Sequence, residues 1–256
     1  MTILDQFQLD GRVALVTGAS RGLGQGMAVG LAEAGADIAG LDRTPHCDET
    51  CAQVEALGRR YLNLSIDLLN ITPADLARVV QQVVEGLGRL DILVNNAGII
   101  RRSPALDYSE ADWDDVIAIN LRAVFFLSQA AGRVMAAQGS GKIINVASML
   151  SFQGGILVPS YAASKSAVAG LTRALANEWA PLGINVNAIA PGYMATDNTA
   201  PLRADPVRSR AIVDRIPAGD WGTPEDLKGA VVYLASDAAR YVHGAILAVD
   251  GGWLAR

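Results

Sequence analysis

The stretch RVALVTGASRGLGQGMAVGLAEAG, from Arg12 to Gly35, decides the fold. After Arg12 its opening residues are apolar or β-branched without alternation, the pattern of a strand buried on both faces. TGASRGLG follows, with Gly18, Gly22 and Gly24, and then a small, apolar run of helical period. Strand, glycine loop and helix in that order open a dinucleotide-binding βαβ unit. Glycine supplies the unusual dihedrals of the turn and lets a pyrophosphate approach the backbone. The amides at the helix start are then free to hold it. A glycine-rich turn that binds nothing is the plain alternative, and the order of the three elements argues against it. Ser20, Arg21 and Leu23 lie in the same loop and count with the glycines as expected cofactor contacts.

Outward from this unit, strand-like runs alternate with helical patterns: DIAGLD, YLNLSI, LDILVN, KIINVA, INVNAI and ILAVD. Seven strands separated by helices predict an α/β fold, a Rossmann-type doubly wound parallel sheet with helices on both faces. Ligands of such sheets bind beyond the carboxyl ends of the strands, so functional residues are sought at that edge. No linker, charge block, low-complexity segment or repeat divides the 256 residues, and the chain reads as one domain, 1–256. Residues 191–217 mix Pro, Gly, Asp and Arg with short apolar runs only, and read as an irregular substrate lid.

With 26 acidic and 21 basic residues, the formal net charge is −5. That balance lacks the basic footprint that neutralises nucleic-acid phosphates or an anionic membrane surface, so neither is an expected partner. No run reaches the roughly 18 uninterrupted apolar residues of a bilayer span; Glu33 and Asp37 break the most apolar early region. The start MTILDQFQLDGR carries acids and no signal-peptide pattern, which predicts a cytoplasmic protein. Cys47 and Cys51, spaced for one helix, suit no disulfide. With His46 they make an incomplete zinc set, and no metal is expected.

The second strand ends at Asp42, 24 residues after Gly18, where a dinucleotide fold places the acid that accepts from the adenosine ribose. A carboxylate there meets a 2′-phosphate as a like charge, so the expected cofactor is NAD unless Arg43 compensates. Asp67 and Leu68, after the third strand, are further expected contacts, although an acid there is equally a turn residue. NNAG ends the fourth strand and contributes Asn95, Ala97 and Gly98. Ser148 ends the fifth, and Tyr161 and Lys165 open the next helix, where i, i+4 spacing puts both on one face. A carbonyl reduced by hydride becomes an alkoxide that needs a proton, and the reverse reaction must remove one. Tyr161 fits that task if the Lys165 ammonium favours the phenolate. Ser148 can hold the substrate oxygen. Asn120 is either a water anchor for Lys165 or a helix-packing amide.

Together TGASRGLG, NNAG, Asn120, Ser148, the YAASK segment from Tyr161 to Lys165 and the pair Pro191–Gly192 resemble the short-chain dehydrogenase/reductase family, in order and spacing from about Gly11 to Gly252. The resemblance implies a single Rossmann-type domain, a homotetramer, and a catalytic tetrad of Asn120, Ser148, Tyr161 and Lys165. It adds Pro191, Gly192, Met194 and Thr196 to the cofactor contacts. The segments GLGQGMA, IINVASMLSFQGG, NVNAIAPGYMAT, DRIPAG and VDGGWLAR are similar to the sugar-acid dehydrogenases of that family. The loop RTPHCDET after Asp42 is not, so the NAD preference rests on Asp42 itself.

A sugar-acid substrate brings a carboxylate, which the planar fork of an arginine binds in two hydrogen bonds. Arg101 and Arg102 follow the fourth strand and Arg203 lies in the lid; each is a substrate candidate, with a solvated surface charge as the alternative. Gln153 is a candidate for hydroxyl contacts, and Met149, Met194 and Tyr193 for the pocket lining or for packing. The tail around Trp253 and Leu254 reads as a subunit contact or as a cap on its own sheet. Alternatives within the family are a gluconate dehydrogenase or a 3-oxoacyl carrier-protein reductase. The latter normally prefers NADP and a basic docking face, against which Asp42 and the acidic balance count. A silent nucleotide-binding scaffold is a remoter alternative, opposed by the intact tetrad.

Overall fold

A computed structural model describes residues 2–44 and 47–256. Its strands are β1 (Val13–Thr17), β2 (Asp37–Asp42), β3 (Tyr61–Ser65), β4 (Ile92–Asn95), β5 (Gly141–Val146), β6 (Ile184–Pro191) and β7 (Ile246–Val249). They form one sheet in the order β3-β2-β1-β4-β5-β6-β7, and every pair is parallel. The order reverses between β1 and β4, which opens a crevice at their carboxyl ends. The helices are α1 (Gly22–Glu33), α2 (Asp48–Ala56), α3 (Pro73–Leu87), α4 (Glu110–Ile117), α5 (Val124–Gln138), α6 (Pro159–Trp179), α7 (Ala200–Ala204), α8 (Pro206–Val213) and α9 (Lys228–Ala235).

Both faces of the sheet are covered, which is why its strands read as unbroken apolar runs. Val13 and Leu15 of β1 pack with Leu76, Val79 and Val83 of α3, Leu127 and Met135 of α5, and Leu175 of α6. Ala14 and Val16, one residue out of phase, pack on the other face with Met27 and Leu31 of α1 and Val231 and Leu234 of α9. Truncating one such leucine to alanine costs about 2–5 kcal/mol. α3 carries its own boundary signals: Thr72 and Asp75 form a capping box, Pro73 opens the helix, and Gly88 closes it with φ 93°.

One expectation needs correction. The region 191–217 is not irregular throughout. After β6 it forms the short helices α7 and α8. Asp205 caps α8, its Oδ1 accepting from Val207 N and Arg208 N at 3.0 Å each, with Pro206 as the first residue. Periodicity missed these helices because each is too short to bury an apolar stripe. Of the two readings of the tail, the cap fits Trp253, which is only 4% exposed within its own chain and packed with Met149, Ile212 and Ile216. It caps its own fold, because the chain turns back after β7 through Gly251 and Gly252, whose φ values are 61° and 87°.

The run Glu110–Gln138 is long and apolar enough to cross a bilayer, but half of its most apolar window is buried. Its α5 part packs on α3 and β5 as a core helix. Cys47 and Cys51 are free and lie one helical turn apart, with Cys51 N donating to Cys47 O at 2.8 Å. His46, the third member of the zinc reading, lies outside the described residues.

Candidate active site

The carboxyl ends of β1 to β5 open on a cleft of about 330 Å³. Gly18, Ser20, Arg21, Gly22, Leu23 and Gly24 form one wall, and Asp42, Asp67, Leu68, Ala97, Gly98 and Thr196 complete the far side. Gly18 turns with φ 68°. A Cβ at Gly24 would overlap the Gly18 carbonyl and stand 2.5 Å from Asn96 Nδ2, so only glycine lets α1 start this close to the loop. Arg21, at the helix N-cap, provides no side-chain cap, and the first amides of α1 stay available to an anion. A pyrophosphate fits this cradle. At the cleft mouth Asp42 is held still: its Oδ2 accepts from Ser20 Oγ at 2.6 Å and Ser20 N at 3.2 Å, and its Oδ1 from Arg43 N at 2.7 Å. The residues present therefore fit a nicotinamide dinucleotide.

Within NNAG the two asparagines separate. Asn95 is turned away from the cleft and donates to Ser128 Oγ at 3.0 Å and Asn145 Oδ1 at 2.9 Å, inside the protein. This corrects its assignment as a cofactor contact; Asn96 faces the cleft instead. Asn96 Nδ2 donates to Thr17 O at 2.9 Å, and Thr17 Oγ1 accepts from Asn96 N and Ala97 N at 3.0 and 2.9 Å. These bonds tie the end of β4 to the glycine loop. Pro191 closes β6, Gly192 N donates to Val249 O at 3.0 Å, and Met194 is buried among the α1 and α9 side chains. These three sit behind the cleft wall, while Thr196 forms part of it.

Tyr161 and Lys165 both line the cleft, on the first turns of α6. Ser148 caps the short turn Met149–Ser151, its Oγ accepting from Leu150 N at 3.1 Å, and hydrogen-bonds the Tyr161 phenol. Ser151 Oγ donates to Lys165 O at 2.6 Å and accepts from Ser148 N at 3.3 Å, fixing the Ser148 turn against α6. Asn120 is 0% exposed and lies in a π-helical turn, Ala118–Ala123, between α4 and α5. Such turns occur often at functional sites because they re-aim one side chain. Here Asn120 exchanges two 2.9 Å bonds with the backbone of Ile99 and donates to Ser164 Oγ at 3.3 Å. Ser164 Oγ donates in turn to Tyr161 O at 2.8 Å.

Burial raises the Tyr161 phenol pKa, while the Ser148 hydrogen bond and the positive charge of Arg102 pull it down. The Lys165 ammonium, 4% exposed, turns toward Val146 O at 2.6 Å, and burial lowers its pKa to about 8. Its Nζ remains 5.7 Å from the Tyr161 ring centroid.

The three candidate arginines differ in their freedom. Arg101 is engaged by α4, with Nε 3.2 Å from Asp112 and Nη2 3.1 Å from Asp115. Those acids compete with any substrate carboxylate, which argues against Arg101. Arg203, on the exposed side of α7, donates to Thr196 O at 3.2 Å. Among the described residues Arg102 has one weak bond, to Asn198 O at 3.3 Å, and it is the arginine whose charge reaches Tyr161. Met149 and Tyr193 join Trp253, Ile212 and Ile216 in an apolar floor beside Ser148.

Sequence reasoning missed several neighbours. Arg215 lies 3.9 Å above the Trp253 ring and approaches Gln153 Oε1 at 3.5 Å. Its segment DRIPAG was visible, but no local pattern places it against Gln153. Asp197 pairs with Arg21 at 2.6 Å and links the segment after β6 to the glycine loop. Leu157, the one described non-glycine residue with positive φ, at 66°, gives its carbonyl to Ser103 N at 3.0 Å and so ties the loop before Tyr161 to the arginine segment.

Residues 18–254 match the family profile described as enoyl-(acyl carrier protein) reductase. The chain is 61% identical over 255 residues to the 2-dehydro-3-deoxy-D-gluconate 5-dehydrogenase of Dickeya dadantii (strain 3937), covering 99% of this chain and 100% of that one. It is 62% identical over 257 residues to the protein of the same name from Escherichia coli (strain K12), again with 99% and 100% covered. Among solved structures, a gluconate 5-dehydrogenase from Burkholderia cenocepacia J2315 in complex with NADP and tartrate aligns with a TM-score of 0.95 at 39% identity, over 100% of both chains.

Proposed function

The chain belongs to the short-chain dehydrogenase/reductase family, and from that membership we propose that it transfers a hydride between NAD(H) and a keto or hydroxyl group of a sugar acid. The specific reading is a 2-dehydro-3-deoxy-D-gluconate 5-dehydrogenase, also called 2-deoxy-D-gluconate 3-dehydrogenase. The observation that carries it is the 61% and 62% identity, over nearly the whole chain, to two proteins of that name, and Arg102 is the lightly engaged cation available to a substrate carboxylate. A substrate carboxylate on Arg102 puts the rest of a short sugar chain within reach of Ser148 and Tyr161.

A nicotinamide bound in the cleft would supply the hydride for reduction and accept it in oxidation. Ser148 donates a hydrogen bond to the reacting oxygen, and Tyr161 gives its phenolic proton to the alkoxide as the alcohol forms. In oxidation Tyr161 takes the hydroxyl proton. Lys165 holds positive charge beside the phenol and the ribose region of the cleft. Asn120 acts through Ser164 and the Tyr161 carbonyl to fix the start of α6. Gly18, Ser20, Gly22, Leu23 and Gly24, which line the cleft, would hold the pyrophosphate, and Asp42 would take the adenosine ribose. The NAD preference rests on that fixed carboxylate, although the Burkholderia relative binds NADP. Thr196 to Asn198, bound to Arg21 and Arg102, form the near part of a lid that spans 191–217. A cytoplasmic location and a homotetramer belong to the same reading, the latter checked by light scattering against four chain masses.

The test is oxidation of NADH and of NADPH, followed at the nicotinamide absorbance, over keto sugar acids, neutral keto sugars and acetoacetyl thioesters. Turnover restricted to sugar acids with NADH is expected. Turnover of thioesters with NADPH keeps the family and rejects this substrate.

A further inference from the structure

A second cavity, of about 300 Å³, lies at the opposite end of the sheet, around the amino ends of β4, β5 and β6. It shares no lining residue with the nicotinamide cleft. Lys142 of β5 enters it, and its Nζ donates one hydrogen bond among the described residues, to Asn185 Oδ1 at 2.9 Å. That partner is neutral and rigid: Asn185 is buried, and its Nδ2 donates to Val242 O at 2.9 Å and Arg240 O at 3.1 Å. A mostly buried ammonium with one neutral partner leaves two donors and a full charge unmatched.

The neighbouring acids do not match it. Asp91 is 2% exposed and already committed: Arg89 binds both its oxygens at 2.7 Å, Arg12 Nη1 donates to Oδ1 at 3.4 Å, and Val13 N donates to Oδ2 at 2.9 Å. Asp237 is exposed and stands 3.8 Å from Arg12. Arg12, Lys142 and Arg240 therefore line the cavity with Asp91 and Asp237, both carboxylates paired with Arg12 and neither with Lys142, in a chain whose net charge is −5. His243 adds an imidazole, its Nε2 3.0 Å from Asn185 Nδ2.

We propose that this cavity binds a small oxyanion, carried by a phosphate or carboxylate group, between Lys142, Arg12 and Arg240. A ligand there is an effector and not a substrate, because no group of the catalytic tetrad reaches it. Burial lowers the Lys142 pKa to about 8, with Asp237 opposing and Arg12 reinforcing the shift. A bound anion keeps Lys142 charged, so affinity falls as pH rises above about 8.

The experiment is calorimetric titration of inorganic phosphate, and separately of tartrate, into protein saturated with NADH or NADPH so that the glycine loop is occupied. At least one anion is expected to bind once per chain, and which of the two binds identifies a phosphate or a carboxylate ligand. Lys142→Met and Arg240→Ala are each expected to weaken it about tenfold or more, the loss of one charge-assisted hydrogen bond. Should Lys142→Met fail to fold, exposed Arg240→Ala and the pH series on the wild type still decide. No binding of either anion to the wild type, unchanged affinity in Arg240→Ala, or affinity that is flat from pH 7 to 9 overturns the proposal.

Discussion

Arg102→Ala separates the two adjacent arginines that sequence alone left equal. Arg101 already spends its guanidinium on Asp112 and Asp115, whereas Arg102 holds one 3.3 Å bond to Asn198 O. A charge-assisted hydrogen bond to a carboxylate contributes about 1.5–3 kcal/mol, and each 1.4 kcal/mol is about tenfold. Removing Arg102 should therefore lower kcat/KM for a keto sugar acid by about 10- to 150-fold. The same step against a neutral analogue lacking the carboxylate should change far less. A second readout follows from the charge. Arg102 pulls the Tyr161 pKa down, so its removal moves the Tyr161-dependent limb of the pH–rate profile to higher pH. In oxidation, where the phenolate is the base, the rise in rate then occurs later. Arg101→Ala should leave the acid-over-neutral preference in place. The measurement is steady-state kinetics on both substrates with both variants. Equal loss on acid and neutral substrates in Arg102→Ala, or a larger acid-specific loss in Arg101→Ala, would refute the assignment.

Tyr161→Phe should abolish turnover while dinucleotide binding, read by NADH fluorescence, stays near wild type; substantial residual turnover removes Tyr161 as the proton carrier. Asp42→Ala should narrow the ratio of kcat/KM for NADH over NADPH, and an unchanged ratio places selectivity elsewhere. Gly24→Ala drives a Cβ into the Gly18 carbonyl and should cost about tenfold or more in dinucleotide affinity; calorimetry with NADH checks it, and wild-type affinity would show that the loop relaxes freely. Lys165 titrates near 8 when folded against an ordinary 10.5, so between those values the unfolded chain binds a proton that the folded one releases. Wild-type stability thus gains with rising pH across that window, and Lys165→Met lacks this gain. The melting temperature of the variant minus that of wild type should fall from pH 8 to 10.5; a flat difference rejects the buried ammonium. Lys142 titrates alike in both proteins and cancels.

The sheet was legible in the sequence because each strand is buried on both faces. A run such as VALVT has no polar alternation to explain unless helices cover both sides, and the glycine loop fixes which end of the sheet holds a ligand. Ser148, just past a strand end, and Tyr161 and Lys165, on one face of α6, were legible as neighbours because local periodicity sets those positions; Asn120 lies instead in the π-helical turn between α4 and α5. What periodicity cannot give is direction at a strand end or proximity across the chain. Asn95 and Asn96 are chemically identical neighbours, and only the pairing of β4 with β5 turns one inward to Asn145 and leaves the other at the cleft. Arg101 and Arg102 likewise differ only because α4 brings Asp112 and Asp115 under the first. Arg215 over Trp253, the Arg21–Asp197 pair and the cation-lined cavity at Lys142 join residues far apart in the chain. Sequence fixes which groups exist and their local phase. Their charges and hydrogen bonds acquire partners only when long-range packing closes the loops between them.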